Sequence, residues 1–162
     1  MQMALTHPQR FSYLQLAIRV LAAALLIFVG VDHYYEYSTG NYSVLPTIGT
    51  LFLLNFISAT AIGLLLLFPL QRVMHRFGRG ALLMVALSGF GIAATSLAGL
   101  LVSEQTTLFG WMEPNYRPEV LVAIASEAAA ALCLGFLLVL TLKDRRFASN
   151  GRKASVRPSP AH

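Results

Sequence analysis

The chain has 162 residues and a composition outside the range of water-soluble proteins, because 56% of the residues are hydrophobic and only 12% are charged. The mean hydropathy is +0.64, which predicts a membrane protein and excludes a large soluble domain. The formal net charge of +5 indicates basic residues at a membrane surface and does not indicate binding of nucleic acid.

Four apolar segments follow one another along the chain, each about the twenty residues that cross a ~30 Å hydrocarbon core. They cover residues 11–31, 46–70, 81–102 and 118–142. Pro46 and Pro118 open the second and fourth segments, where proline suits the first helical turn because its missing N–H would be unpaired there. The inner loop between the second and third segments, residues 71–80, is too short to form a domain. The predicted fold is therefore all-α, an integral membrane four-helix transmembrane bundle over residues 1–142.

The basic residues are distributed unevenly between the two sides of this arrangement. Most of them fall on the side of the chain termini, and Arg117 falls on the other side. Because Lys and Arg are retained in the cytoplasm, we expect a multi-pass protein of the cell inner (plasma) membrane with both termini cytoplasmic. Residues 143–162 lose the apolar pattern and gain Ser, Pro and basic residues, which predicts a basic, disordered cytoplasmic tail.

Glu127 is the most unusual residue of the four predicted spans. It follows Pro118 by nine residues, which places it roughly 13 Å below the start of its helix at 1.5 Å per residue. A carboxylate at this depth is costly unless it is paired, protonated or in contact with water, so we expect it to face the bundle interior. Asn55 occupies the matching position after Pro46 in the second span.

These depths predict a buried polar cluster of Arg19, Asn55 and Glu127. Arg19 precedes the predicted end of the first span by twelve residues, which places it within about 5 Å of Glu127 in depth. Thr95 and Ser96 of the third span reach a similar level. Two interpretations are open. The cluster fixes the register of the helices, or it forms a proton-labile site or the floor of a ligand pocket.

A second set of candidates follows the first span on the outer side. If the helix continues beyond residue 31, spacings of three and four residues place His33, Glu36 and Tyr37 on one face. His and Glu side chains bind metals and transfer protons. Two ligands do not make a metal site, so we predict no metal.

The motifs of a self-contained enzyme are missing from the sequence. There is no phosphate-binding glycine loop, CxxC, HExxH or nucleophile elbow, and the loops between spans have about fifteen residues or fewer. We therefore assign no catalytic residue. Gly91, Thr95 and Gly99 recur at four-residue spacing in the third span, which favours close packing within the bundle or against a partner protein.

Two stretches of the chain resemble known membrane proteins. The stretch 19–30, RVLAAALLIFVG, resembles the opening helix of DoxX-like proteins, which are small four-helix bacterial membrane proteins. That resemblance implies a four-helix bundle and, for some members, association with quinone-linked sulfur or redox enzymes, although the family's glutamate lies in an earlier helix than Glu127. The stretches 45–49 and 51–55, with Glu127 in an alanine-rich helix, are similar to uncharacterised actinobacterial four-span proteins, for which no activity is implied.

These observations favour a non-enzymatic membrane protein. In this interpretation the chain is an accessory or scaffold subunit of a larger membrane complex, with the lipid bilayer and other membrane subunits, or copies of itself, as partners. The alternative is a redox-linked protein that binds a quinone or another lipophilic small molecule between its helices near Arg19, Asn55 and Glu127.

Overall fold

The structure is a computed structural model that describes residues 7–74, 77–113 and 115–155. These residues form a short 3₁₀-helix at Tyr42–Val44, five α-helices and no β-strand. The α-helices are α1 (His7–Thr39), α2 (Pro46–Leu67), α3 (Leu70–Val73), α4 (Gly78–Ser103) and α5 (Pro118–Ser155).

Four of the α-helices are long and apolar enough to cross a membrane. The candidate spans are Tyr13–Thr39, Pro46–Leu67, Gly78–Ser103 and Pro118–Lys143. Many large apolar side chains of these helices are exposed on the outside of the bundle, as contact with lipid requires. The predicted all-α, four-helix membrane bundle is confirmed.

The first helix is longer than the predicted span. It continues from Val31 to Thr39, since the intervening polar residues contain no proline or glycine that would break it. Gly40 follows directly, and its N–H donates to the carbonyl of Glu36 at 2.9 Å. The end of α1 is therefore set by a backbone signal and not by the point where hydropathy falls.

The ends of the second and third spans also differ from the predicted ones. The second helix stops at Leu67 and not at residue 70, because the following Pro69 disfavours helical geometry at Phe68, which has φ −68° and ψ 138°. The third long helix begins at Gly78, three residues earlier than predicted. Both changes leave the number and order of the spans unaltered.

The last helix extends beyond its predicted span. Residues 143–155 continue α5 to Ser155, so the first part of the predicted disordered tail is helical. The rest of that predicted tail, residues 156–162, lies outside the described residues.

The four long helices pack in a ring in the order α1, α2, α4, α5, so that α1 and α4 face each other diagonally. Small residues let neighbouring helices approach closely, as in many membrane bundles. Ala23 and Ala59 are fully buried, and a Cβ added at Gly63 would lie 3.0 Å from the carbonyl oxygen of Ala23. Leu26 and Leu134 fill the centre of the bundle.

The two ends of the bundle carry different connections. One end, called the Tyr42 end below, carries the Tyr42–Val44 helix and the connection 104–117 between α4 and α5. The opposite end, called the Pro69 end, carries Pro69 and α3. The polar side chains that concern function lie in the half of the bundle nearer the Tyr42 end.

Candidate functional site: a pocket between the helices

A pocket of about 440 Å³ lies between the four long helices. It extends from Trp111, in the connection between α4 and α5, to Glu127 in α5. Much of its wall is apolar, including Ile48, Leu51, Phe52, Ile92, Leu100 and Val120. Its volume falls within the range of roughly 300–1,000 Å³ that is typical of small-molecule sites, as does a wall of apolar residues with a few polar groups.

Four polar side chains of the pocket lining, one from each long helix, are joined by short contacts. These residues, called the floor cluster, are His33 of α1, Asn55 of α2, Ser96 of α4 and Glu127 of α5. The Ser96 hydroxyl donates to Glu127 Oε1 at 2.6 Å and accepts from Asn55 Nδ2 at 2.7 Å. Asn55 Nδ2 also lies 3.0 Å from His33 Nε2. The floor cluster thus ties all four helices together.

The hydrogen bonds of His33 define one arrangement of its protons. Its Nδ1 lies 2.9 Å from the carbonyl oxygen of Val29, and a carbonyl only accepts, so Nδ1 carries the hydrogen. In the neutral ring Nε2 then accepts from the Asn55 amide, an assignment that follows from the network. His33 Nε2 is also 3.4 Å from Glu127 Oε1. Two groups that can each hold a proton therefore meet at the floor.

Two acceptor atoms of the floor cluster, Asn55 Oδ1 and Glu127 Oε2, find no hydrogen-bond partner among the described residues. Glu127 is only 1% exposed, so solvent does not readily replace that partner. A buried polar atom without a partner costs about 1–3 kcal/mol, and such atoms are uncommon. Both residues line the pocket, so a hydrogen-bond donor on a bound molecule that reaches these two atoms would satisfy them.

A second polar group of residues, called the rim cluster, lies at the Tyr42 end of the pocket and consists of Glu36, Tyr42, Glu113 and Arg117. The Tyr42 hydroxyl donates to Glu113 Oε2. Arg117 donates to Glu113 Oε1 from Nε at 3.1 Å and from Nη2 at 2.9 Å, and to the Tyr42 hydroxyl at 3.0 Å. Arg117 Nη2 lies 3.9 Å from Glu36 Oε2. These contacts join the two connections across the pocket.

The surroundings of the rim cluster stabilise a neutral tyrosine and a charged arginine. Burial raises the pKa of Tyr42, and the hydrogen bond and charge of Glu113 raise it further, against the opposing charge of Arg117. Burial lowers the pKa of Arg117, but the hydrogen bond and charge of Glu113 outweigh it and leave that pKa raised. The Tyr42 ring also stacks on Phe52, with centroids 4.7 Å apart, and meets Trp111 edge-on at 6.0 Å.

Arg19 does not join the floor cluster, contrary to the prediction that it lies beside Glu127. Its guanidinium donates to the backbone carbonyls of Leu66 and Phe68 at the end of α2. The last carbonyls of a helix have no partner within the helix, so this arginine satisfies the helix end. The predicted depth was wrong because α1 extends to Thr39, about 12 Å beyond the predicted end at 1.5 Å per residue.

Two of the three candidates that follow the first predicted span line the pocket. His33 belongs to the floor cluster and Glu36 to the rim cluster, and both are buried. Tyr37 is half-buried beside Tyr34, with ring centroids 6.4 Å apart, and does not line the pocket as the described residues form it. Within the described ranges, no three His, Cys, Asp or Glu side chains stand together in a group suited to a metal ion.

The two polar candidates of α4 have different roles. Ser96 joins the floor cluster, whereas Thr95 lines the pocket but is exposed, and its hydroxyl donates to the Gly91 carbonyl at 2.7 Å. The depth estimate from the sequence missed His33, although the absence of a helix breaker before Gly40 was a signal that α1 continues past it. Of the rim cluster, Glu36 was a sequence candidate, whereas Tyr42, Glu113 and Arg117 have no comparable signal because they come from separate connections.

Comparison of the chain with protein-family models, with curated proteins and with solved structures gave no significant match. The resemblance to DoxX-like proteins stays a prediction.

Proposed function

We propose that this multi-pass membrane protein binds a lipophilic small molecule in the pocket between its helices. The observation that carries the proposal is Glu127, which is 1% exposed and lines a pocket of about 440 Å³, with one carboxyl oxygen unpartnered among the described residues. Ionisable groups inside a membrane span are costly and mark functional sites. The apolar wall would hold the body of the ligand, and the floor cluster would orient its polar group.

A purely structural role for the floor cluster explains less. Hydrogen bonds between helices do hold membrane bundles together, and Ser96 links α2, α4 and α5 in this way. A buried polar network, however, stabilises a fold best when every member is satisfied. In the described part of the chain, Asn55 Oδ1 and Glu127 Oε2 are not satisfied. A register-fixing network also gives no reason for a pocket beside it.

A quinol is one neutral ligand that fits this chemistry and the redox-linked alternative. Its hydroxyl groups donate hydrogen bonds, and Asn55 Oδ1 and an ionised Glu127 Oε2 accept them. The apolar wall suits the ring and its lipid tail. The resemblance to DoxX-like proteins, some of which associate with quinone-linked enzymes, implies the same ligand class, but the glutamate of that family lies in an earlier helix than Glu127.

Native mass spectrometry of the protein extracted from its host membrane under mild conditions tests the proposal. We expect one lipophilic molecule retained per chain. Ala123 lines the pocket, so Ala123→Phe should fill it and release the molecule, whereas Ala125→Phe, at an exposed position of the same helix, should retain it. A folded wild-type protein without a bound molecule, or equal retention in both variants, would contradict the proposal.

A second candidate function is association with another membrane subunit or a second copy of the chain, as an accessory or scaffold protein. One position on α4 favours it: within the described structure a Cβ added at Gly91 meets nothing within 4 Å. Small residues on an open face allow another helix to approach closely. We expect Gly91→Leu to remove a stoichiometric partner that Ala61→Leu, on exposed α2 surface, retains. A homogeneous wild-type monomer would exclude this function.

We also propose that the Tyr42 end faces the outside of an inner (plasma) membrane and that both termini are cytoplasmic. The support is the charge asymmetry: Arg72 and Arg79 lie near the Pro69 end, whereas Arg117 at the Tyr42 end is paired with Glu113. A reporter that is active only in the cytoplasm should be active at the C-terminus and inactive in the 104–117 connection. The reverse pattern would overturn this orientation.

A further inference from the structure

The pocket is lined by more carboxyl groups than cationic groups. Among the described residues, five carboxyl groups and one arginine contribute to its wall. The carboxyl groups belong to Asp32, Glu36, Glu113, Glu119 and Glu127. The arginine, Arg117, makes its hydrogen bonds at 2.9 and 3.1 Å to Glu113 and approaches Glu36 only to 3.9 Å. Its charge is therefore directed mainly to one carboxylate of the five.

Two of these carboxyl groups have a buried oxygen without a hydrogen-bond partner in the described chain. These atoms are Glu127 Oε2, on a residue 1% exposed, and Glu36 Oε2, on a residue 8% exposed. Asn55 Oδ1 is a third unpartnered atom in the pocket lining. An amide oxygen and ionised carboxylate oxygens only accept hydrogen bonds. With both carboxyl groups ionised, three of the four unpartnered atoms in the described lining are therefore acceptors that call for donors, and the fourth, Trp111 Nε1, is a donor.

We propose that the ligand is an amphiphilic organic cation whose ammonium group meets Glu127, an inference that rests on the proposed function. An ammonium group has up to three N–H donors, so after donating to Glu127 Oε2 it has donors left for a further acceptor such as Asn55 Oδ1. It also compensates the negative charge of the wall. A neutral alcohol supplies a single donor and no charge, and an anion is repelled by the carboxylates.

The body of such a ligand has a suitable environment beside the floor cluster. The rings of Tyr42, Phe52 and Trp111 line the pocket near the rim cluster. Aromatic rings bind the apolar part of an amine by contact and attract its positive charge through their electron-rich faces. Acceptors at the floor and rings above it match a molecule with an ammonium at one end and an aromatic group at the other.

The chain contains a single tryptophan, and it lines this pocket. The fluorescence of Trp111 therefore reports ligand entry without an added label. We would titrate the full-length protein in lipid nanodiscs with 4-phenylbutylamine and with 4-phenylbutan-1-ol, which differ in the ammonium and the hydroxyl. We expect the amine to bind at least tenfold more tightly than the alcohol.

Two carboxyl variants test whether Glu127 recognises the charge. Glu127→Gln keeps the size of the side chain and removes the negative charge, so amine affinity should fall at least tenfold while alcohol affinity changes less than threefold. Glu104→Gln makes the same chemical change at a residue outside the pocket lining and should retain the preference for the amine. If Glu127→Gln does not fold, Glu36→Gln should reduce amine affinity severalfold with the same selectivity.

The possible results separate this inference from the proposed function. Equal binding of amine and alcohol by the wild-type protein would overturn the proposal that the ligand is a cation, as would an unchanged preference for the amine in Glu127→Gln. The pocket would then remain a site for neutral ligands. A quinol or another neutral or anionic molecule retained in native mass spectrometry would also overturn it. A retained amine would support it. The absence of any retained molecule, with neither probe affecting Trp111, would contradict both proposals.

Discussion

His33 Nε2 lies 3.4 Å from Glu127 Oε1, and this contact joins α1 to α5 at the floor of the pocket. The imidazole is oriented by its other nitrogen, which lies 2.9 Å from the Val29 carbonyl one turn earlier. Glu127 therefore has as its neighbour an imidazole, a side chain that can bind or release a proton. The contact links two helices, and it also places two proton-binding groups side by side, which packing alone does not require.

The hydrogen-bond network predicts the tautomer of His33. We expect Nδ1 to carry the hydrogen in the neutral ring, since the Val29 carbonyl can only accept, and Nε2 to accept from Asn55. Nitrogen-15 NMR of the imidazole distinguishes the two nitrogens. The His33→Asn variant identifies the signal among the four histidines of the chain. A neutral His33 with its hydrogen on Nε2 would show that the assigned network is incorrect.

Removing the Ser96 hydroxyl should destabilise the bundle. The hydroxyl donates to Glu127 and accepts from Asn55, so Ser96→Ala leaves both partners with one bond fewer in a buried place. We expect a loss of about 1–3 kcal/mol in the free energy of unfolding. Reversible unfolding in mixed micelles measures it, with Ser88→Ala at an exposed position of α4 as the control. Equal stability of the two variants would show that the Ser96 hydroxyl contributes nothing to the free energy of unfolding.

Substitution of Arg19 distinguishes the contacts in the structure from the cluster with Asn55 and Glu127 that was predicted from the sequence. Because its guanidinium holds the carbonyls of Leu66 and Phe68, Arg19→Ala should lower stability by about 1–3 kcal/mol and leave ligand binding within threefold of wild type. An ion pair with Glu127 would instead make binding fall sharply. The same unfolding and Trp111 fluorescence measurements decide between these outcomes.

The four spans and the depth of Glu127 could be predicted because both depend on local features of the sequence. Apolar length gives the number of spans, and Pro118 fixes the helix start from which the depth is counted. The predicted position of Arg19 was wrong because hydropathy falls after residue 31, whereas the helix does not end there. Backbone geometry decides that end, and α1 continues to Thr39.

Glu36 was a sequence candidate, but its grouping with Tyr42, Glu113 and Arg117 in the rim cluster could not be predicted, for a different physical reason. Tyr42 and Glu113 are brought together by two connections whose backbones include left-handed residues, among them Asn41 with φ 62° and Phe109 with φ 53°. Such conformations depend on the packing around them and leave little trace in hydropathy or spacing. Contacts between separate connections are therefore found only once the fold is known.

Two glycines should respond in opposite ways to the same substitution. A Cβ at Gly63 would lie 3.0 Å from the Ala23 carbonyl and closer still to Ile27, so Gly63→Ala should separate α1 from α2 and destabilise the protein by about 1–3 kcal/mol. Within the described structure a Cβ at Gly80 meets nothing within 4 Å, so Gly80→Ala should stabilise α4 by up to about 1 kcal/mol. Thermal unfolding of the two variants tests whether the first is destabilised and the second stabilised. Destabilisation of both would contradict the open surroundings of Gly80.

The raised pKa of Tyr42 makes an alkaline titration informative. Burial and the hydrogen bond to Glu113 favour the neutral phenol in the folded protein, so Tyr42 should ionise above its ordinary value of 10.0. Its contribution to stability should be complete below that value and should be lost as the pH rises through the folded-state pKa, because the unfolded chain releases the proton first.

Comparison with Tyr42→Phe isolates this effect. The ultraviolet phenolate absorbance of the wild type minus that of the variant gives the titration of Tyr42 alone among six tyrosines. Loss of the hydroxyl also removes a donor to Glu113 and an acceptor for Arg117, so the variant should be about 1–2 kcal/mol less stable at neutral pH. The difference in stability between the wild type and Tyr42→Phe should decrease only at strongly alkaline pH. A midpoint at the ordinary value would mean that Tyr42 is solvated and that the rim cluster does not hold the two connections together.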